Sequence, residues 1–278
     1  MDHDVLSALK KHLVGTGLGQ IVLDTADNLM LKFIPVRNPE MAAAKANHII
    51  ARRLLRGLCP PNGQFLDIGA HIGSVFSAVH RANPTICITA IEADPVKADD
   101  LKRRYGYAKI ISCAVSEQKG TAEFFIYDAA SGYNSLSPHQ NATPARCIKV
   151  AVERLDELLA EDKPDFVKID VEGAELGVLK GGEAMLARAR PVIMFESIGR
   201  QINALGYEPG MIWDLLTEQG YQVLTPDRVA HDCASLSRDS FLEAHDYPFR
   251  TNDYFAIPQE KRASVRDRAR QILGVRVE

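Results

Sequence analysis

The feature that most constrains this chain is the run Gln64-Phe65-Leu66-Asp67-Ile68-Gly69-Ala70-His71-Ile72-Gly73-Ser74-Val75-Phe76. It begins as a short apolar stretch of the kind that forms a buried parallel strand. Two glycines four residues apart then turn the chain into a helix. A strand that ends in glycines at a helix N-terminus presents bare backbone, and the free N–H groups of the first turn face whatever binds there. Gly69 and Gly73 carry no Cβ and accept the dihedrals that such a turn demands. Asp67 puts a charge where the core pattern wants an apolar residue. A buried carboxylate is costly unless paired or hydrogen-bonded, so Asp67 either satisfies loop N–H groups or meets a polar, cationic ligand.

The spacing is Asp-x-Gly-x-x-x-Gly. It differs from the Gly-x-Gly-x-x-Gly that seats a dinucleotide pyrophosphate on a helix N-terminus. An acid at its head suits a ligand with a sulfonium and an ammonium group better than one with a pyrophosphate. The stretch resembles motif I of the Rossmann-like S-adenosylmethionine (SAM) methyltransferases.

From residue 64 onward strands and helices alternate, which predicts an α/β fold with a mostly parallel sheet and helices on both faces. Strands are expected over 64–68, 85–91, 109–113, 122–127, 146–152, 165–169, 191–195, 221–224 and 252–257. Helices are expected over 74–82, 96–105, 174–189 and 209–219. Glu92 ends the second strand roughly 20 residues past the glycines, where an acid can accept both hydroxyls of an adenosine ribose. The adenine is expected at the edge formed by the backbone of residues 113–115, Ala114 included. A polar loop over 128–145 contains Ser131-Gly132-Tyr133-Asn134-Ser135-Leu136. Long polar loops inside compact domains are usually functional, so Asn134 and Ser135 are expected near the substrate. Segment 227–251, with His231, His245 and Arg250, is expected to be irregular and able to line a substrate site.

Asp165-Phe166-Val167-Lys168-Ile169-Asp170-Val171-Glu172-Gly173-Ala174-Glu175 is the second informative stretch. Lys168 and Asp170 are two residues apart on a strand and so share a face. Ligands in open α/β sheets sit beyond the carboxyl ends of the strands, which brings Asp170 and Glu172 to the crevice where the first motif ends. The bland alternative is an internal network in which Lys168 pairs with Asp170 or Glu172. Glu196 ends the next strand and faces the same edge.

Residues 1–60 read as an N-terminal extension. A helix is expected over 4–14, then two strands, Gln20–Asp24 and Leu29–Ile34, and a helix from Pro39 to Leu58. The main domain is expected over 61–258. A basic amphipathic helical tail, expected on the surface, occupies 259–278. Charges of 33 and 36 leave a net −3 on 278 residues, which does not suggest a nucleic-acid or polyanion binder. Five scattered cysteines without a Cys-x-x-Cys spacing suit a reducing compartment rather than a disulfide frame or zinc site. Met1-Asp2-His3-Asp4 lacks the look of a signal peptide, and no apolar run nears the ~18 residues of a membrane span. The expected location is cytoplasmic.

Together, Asp67-Ile68-Gly69-Ala70-His71-Ile72-Gly73, Glu92, Ala114-Val115-Ser116 with Gly120, and Lys168-Ile169-Asp170-Val171-Glu172-Gly173-Ala174-Glu175 resemble the FkbM family of SAM-dependent methyltransferases. The resemblance covers about residues 62–200. It implies a class I, Rossmann-like fold with a seven-stranded sheet, SAM as cofactor, and O-methylation of a small molecule or a sugar hydroxyl. By that analogy Asp67, Gly69, Gly73 and Glu92 are cofactor residues, and His71 stands where the family usually has asparagine.

The alcohol must lose a proton during methyl transfer. Asp170 is the first choice for the base or hydroxyl-orienting group, Glu172 the second and Glu196 a more distant third. Lys168 would depress a neighbouring carboxylate, so its expected role is to hold the substrate oxygen or orient the carboxylate. Asp170, Glu172 and Glu196 have the hard oxygens that suit Mg²⁺, but no metal is expected. The rival readings are a methyltransferase-like binding module without chemistry and a nicotinamide-dependent oxidoreductase, which would need the pyrophosphate fingerprint.

Overall fold

In the computed structural model, residues 38–127, 132–138 and 143–275 are described, together with single positions between 16 and 36. The first labelled helix, α1 (Pro39–Leu58), opens on a proline, which suits a first helical turn, and leads through Cys59 to Gly63 into the sheet. The βα alternation follows: β1 (Gln64–Ile68), α2 (Ser74–Ala82), β2 (Cys87–Glu92), α3 (Pro95–Arg104) and β3 (Ala108–Ser112). A side excursion then runs through β4 (Ala114–Val115), β5 (Gly120–Ile126) and β6 (Arg146–Glu153). The alternation resumes with β7 (Phe166–Ile169), α4 (Glu175–Gly181), α5 (Glu183–Ala189), β8 (Val192–Glu196), α6 (Gly199–Ala204), α7 (Gly210–Glu218) and β9 (Tyr221–Leu224). It closes with α8 (Arg238–Glu243), β10 (Asp253–Pro258) and α9 (Arg262–Leu273).

The main sheet has seven strands in the order β3-β2-β1-β7-β8-β10-β9. The pairings of β1, β2, β3, β7 and β8 are parallel, and β10 runs antiparallel to both β8 and β9. This is the α/β, mostly parallel seven-stranded class I architecture that the sequence predicts. The order reverses at β1, whose neighbours are β2 and β7, so the ligand crevice is expected at its carboxyl end. A second, three-stranded sheet in the order β4-β6-β5 stands beside it.

Alternation along the strands divides the core into two layers. Leu66, Ile68, Val167, Ile169, Ile193 and Phe195 face one, against α4, α5 and α7. Phe65, Phe166, Met194 and Phe255 face the other, together with Leu54 and Leu55 of α1, Phe76 of α2, and Val265 and Ala269 of α9. Helices α1 and α9 are thus part of the core layer. The tail expected on the surface buries Val265 and Ala269 against α1.

Three expectations are corrected. Ile21, Val22, Leu29, Phe33 and Ile34 lie in helix, so the two N-terminal strands are not formed at the described positions. The alternation there is too short to resist a helix without a partner strand to pair with. The single helix expected over 174–189 is two, broken at Gly181 and Gly182. A Cβ on Gly181 would lie 2.2 Å from the Ser116 carbonyl oxygen, so the chain bends there around the β4 loop. Segment 227–251 contains a helix, α8, and none of its residues lines the cleft described below. The helix expected over 4–14, and Ser131, lie outside the described residues. Among the described residues no helix is long and apolar enough to cross a membrane.

Candidate active site

The β1 turn is built as its glycines require. Gly69 and Gly73 have φ of +80° and +79°, and a Cβ on Gly69 would lie 1.8 Å from the Asp170 carbonyl oxygen. Gly69 therefore lets the ends of β1 and β7 touch, while the Gly69 and Ala70 N–H groups donate to the Ile91 carbonyl of β2. A Cβ on Gly73 would strike Tyr105, Phe76 and Leu101. Gly73 thus packs helix α2 and does not line the cleft.

Above this turn lies a cleft of about 200 Å³. Of the residues singled out in the sequence, Gly69, His71, Glu92, Ala114, Asn134, Asp170 and Glu172 line it. Glu92 Oε2 accepts the His71 N–H at 2.7 Å, and Oε1 accepts the Asp94 N–H at 2.9 Å. A carboxylate offers about four acceptor positions, so each oxygen keeps capacity toward the cleft. Burial raises the Glu92 carboxyl above its usual range, against the pull of Lys97 and the two N–H donors. Capping of α3 falls to Asp94, whose side chain accepts from Val96 and Lys97 N–H, which leaves Glu92 free of that role. Cys113, Ala114 and Val115 form the expected edge.

Phe124 and Leu136 close the apolar wall, and Lys97 adds a cation at the rim. The sequence reading passed over Phe124 and Lys97, while Leu136 belongs to the loop stretch expected near the site. Phe124 comes from the side hairpin and Leu136 from its loop, and only the fold over of β5 and β6 brings them to the sheet. Asn134 braces that loop: its Oδ1 accepts the Tyr127 N–H at 2.9 Å, and its Nδ2 lies 3.5 Å from Asp94 Oδ2. It lines the same cleft as Glu92 and Ala93. Ser135 is corrected: it is buried, forms a β-bridge with Phe125, and donates its hydroxyl to the Ser137 carbonyl. It shapes the loop from inside and does not face the cleft.

Asp67 and Lys168 are also placed differently from the expectation. They are register partners on β1 and β7, and both are buried beneath the cleft floor. Lys168 Nζ lies 3.1 Å from the Gly69 carbonyl oxygen, 3.3 Å from Asp67 Oδ1 and 3.2 Å from Asp170 Oδ2. The ammonium hydrogen-bonds the Gly69 carbonyl and pairs with both carboxylates, and the buried Asp67 oxygens have no hydrogen-bond partner among the described residues. Burial would lower the ammonium, but Asp170 and Asp67 outweigh it and hold Lys168 above its ordinary value. Burial pushes the Asp67 carboxyl up against the pull of Lys168. Asp67 thus acts on the cleft through Lys168, and Lys168 fixes Asp170 rather than reaching a substrate.

Asp170 and Glu172 make the other end of the cleft acidic, and Glu196 stands beside them without lining it. Asp170, Glu172 and Glu196 each bring one carboxylate oxygen within 4.8 Å of the others. Hard oxygens so grouped are what a divalent cation such as Mg²⁺ or Ca²⁺ takes, and here a metal would find its ligands. Glu172 has φ +55°, and Gln201 donates to its Oε2 at 2.6 Å. Burial first, and then Asp170, push the Glu172 carboxyl up to about 8. Burial together with Asp170 and Glu172 holds Glu196 well above the carboxylate range. Glu175 Oε1 accepts the Val171 and Gly173 N–H groups and so folds the loop that carries Glu172. Burial raises Glu175 to about 7.

The model of the methyltransferase FkbM domain matches residues 67–223. Among curated proteins, the chain is 31% identical over 158 residues to the methyltransferase sdnD of Sordaria araneosa, covering 44% of this chain and 61% of that protein. It is 26% identical over 160 residues to the 2-O-methyltransferase NoeI of Sinorhizobium fredii, covering 51% and 66%. The matches thus span under two thirds of those relatives' lengths. A solved FkbM methyltransferase from Methylobacillus flagellatus aligns at 16% identity over 86% of this chain and 60% of that one, with a TM-score of 0.43.

Proposed function

This chain belongs to the FkbM methyltransferase family, and from that premise we propose that it uses SAM to methylate a hydroxyl of a small molecule or sugar. The observation that carries the reading is the polarity of the cleft: a buried acceptor at Glu92 on one side and a carboxylate cluster on the other, joined by the bare Gly69 backbone. The residues fit the cofactor. Glu92 suits the ribose hydroxyls, the edge at 113–115 with Phe124 suits the adenine, and the Gly69–His71 backbone suits the amino-acid portion. When bound, SAM supplies an electrophilic methyl group on a sulfonium. The chain's task is then alignment and proton removal, and alignment alone is a large part of such catalysis.

Glu172 is the proton acceptor in this reading, in place of Asp170. Asp170 is held by the Lys168 ammonium at 3.2 Å, and its part is to orient the hydroxyl. Glu172, pushed up to about 8, holds its proton in most molecules at neutral pH and acts as the base in its ionised fraction, which grows as pH approaches 8. The name of NoeI, a 2-O-methyltransferase, supports an oxygen acceptor.

Calorimetric titration with SAM and S-adenosylhomocysteine tests the cofactor, with NADH and NADPH as controls. Micromolar binding that is lost in Glu92→Ala is expected. Failure of both sulfur compounds to bind would sink the reading. A panel of hydroxylated acceptors with labelled SAM then identifies the substrate, and label on nitrogen or carbon would overturn the choice of oxygen.

A further inference from the structure

The side sheet of β4, β5 and β6 grips the stretch that carries Glu92. Glu92 ends β2, and Ala93 and Asp94 lead from it into α3. Ala93 packs against the apolar cluster of the side sheet, which holds Phe124, Ile126, Val150 and Val152. The Asp94 N–H donates to Glu92 Oε1 at 2.9 Å. Where Asp94 sits therefore sets one of the two backbone hydrogen bonds that orient the Glu92 carboxylate, the other coming from His71.

The Asp94 side chain is divided between two tasks. Oδ1 accepts the Val96 and Lys97 N–H groups and caps α3. Oδ2 lies 3.5 Å from Asn134 Nδ2 and 4.0 Å from Lys97 Nζ. Asn134 lines the cleft yet is buried, and both ends of its amide face the protein. Its Oδ1 accepts the Tyr127 N–H at 2.9 Å, which fixes the sense of the amide and turns Nδ2 to Asp94. The next residue, Ser135, exchanges both backbone hydrogen bonds with Phe125 of β5, at 2.9 and 3.2 Å. A line of hydrogen bonds thus runs from Tyr127 through Asn134 and Asp94 to Glu92 and His71. It ties the side hairpin to the carboxylate assigned to the cofactor ribose.

We propose that Asn134 is a positioning residue for the cofactor: through Asp94 it sets the Glu92 carboxylate for the ribose hydroxyls. This rests on the assignment of Glu92 made above. The chemistry of the position accounts for the residue type. One short side chain must accept from a backbone N–H and donate to a carboxylate, and an amide does both. Aspartate would keep the acceptor for Tyr127 but set a second carboxylate against Asp94. Both polar groups of Asn134 are engaged within the chain, so the residue acts through Asp94 rather than on a bound molecule.

The test uses the full chain and calorimetric titration with S-adenosylhomocysteine, with thermal unfolding to report folding. Asn134→Asp should weaken binding about tenfold, the scale of one lost hydrogen bond to a charged group. Asp94→Asn leaves two amide N–H groups facing each other and should weaken binding in the same way, which carries the test if Asn134→Asp does not fold. In the double variant, Asn134→Asp with Asp94→Asn, donor and acceptor change places while asparagine still caps α3. Affinity should return to within about threefold of wild type. Adenosine and 2′,3′-dideoxyadenosine, competing with S-adenosylhomocysteine at millimolar concentration, separate positioning of Glu92 from a general effect on the cleft wall. Asn134→Asp should weaken adenosine about tenfold and leave the dideoxy compound, which lacks the hydroxyls, within about twofold. Equal losses for both nucleosides, no recovery in the double variant, or unchanged binding in both single variants overturns the inference. When the wild type binds S-adenosylhomocysteine, any of these results removes the role of Asn134 alone. No binding by the wild type removes the methyltransferase reading and this inference with it, and adenosine that fails to compete in the wild type removes the ribose assignment of Glu92 and the inference that rests on it.

Discussion

The two ends of the cleft are made in different ways. The cofactor end comes from near neighbours in sequence: Gly69, His71, Glu92 and Lys97 lie within thirty residues, and backbone N–H groups do much of the work. The acidic end joins Asp170, Glu172 and Glu196 from beyond the ends of two different strands, β7 and β8. The first end is a local turn whose geometry is fixed by sterics. The second is a tertiary assembly whose chemistry is fixed by crowding of like charges. Lesions at the first should remove binding or folding, and lesions at the second should remove turnover while binding survives.

The largest effect should come where the two ends touch. In Gly69→Ala the new Cβ would meet the Asp170 carbonyl oxygen at 1.8 Å, with φ at +80°. That contact is with backbone, so β1 and β7 must separate. A loss of several kcal/mol in unfolding free energy is expected, beyond the ~1–3 kcal/mol of ordinary overpacking, and denaturant unfolding measures it. Near-wild-type stability would mean that the turn relaxes freely and that the cofactor end is less rigid than its geometry indicates.

Glu172→Gln comes next. Its amide keeps a hydrogen-bonding shape but cannot take a proton, so kcat should fall by ~10²–10⁴-fold. S-adenosylhomocysteine binding, by calorimetry, should hold. If Asp170→Asn shows the larger kcat loss, the order of the two carboxylates is reversed. Loss of binding in Glu172→Gln would instead dissolve the division between the two ends.

The sequence displays the first end almost in full and the second only in part. Asp67, Gly69 and Glu92 announce themselves because a turn, a strand end and a spacing of roughly 20 residues are local signals. The mostly parallel seven-stranded sheet also follows from alternation and the fold family. Three things escaped. The depth of Asp67 and Lys168 depends on register between β1 and β7, and a sequence pattern does not show which charged group ends in the cleft and which beneath it. Phe124 reaches the cleft only because β5 and β6 fold back as a hairpin. Asn134 reads as a substrate residue from its loop alone, since its partner Asp94 lies 40 residues away.

Buried acids also set a pH dependence, most plainly at the acidic end. Glu172 and Glu175 are raised in the folded chain to about 8 and about 7, chiefly by burial. A carboxyl whose folded value lies above its unfolded one binds more protons when folded. Its contribution is therefore most favourable below about pH 4.5 and is lost as pH rises toward 7 and 8. Unfolding midpoints should fall between pH 5 and pH 8. Glu175→Gln keeps an oxygen for the Val171 and Gly173 N–H groups and should flatten that slope, by up to about 3 kcal/mol at the upper end. An unchanged slope in Glu175→Gln would place the burden on Glu172 and Glu196.

The smallest effect tests the cofactor end at its most tolerant position. His71 sits at φ +52°, between the two glycines, and its N–H is the group held by Glu92 at 2.7 Å. What this position contributes through Glu92 is backbone, and a change of side chain leaves that N–H in place. Asparagine visits the left-handed region with less strain than most residues, and histidine is also enriched there. His71→Asn should therefore stabilise the fold by no more than a few tenths of a kcal/mol and leave the affinity for S-adenosylhomocysteine within about twofold, by thermal unfolding and calorimetry. A tenfold loss of affinity would show that the imidazole itself holds the cofactor. The cofactor end would then depend on side chains as the acceptor end does, and the contrast between a backbone-built and a side-chain-built end would narrow to Gly69 and Glu92.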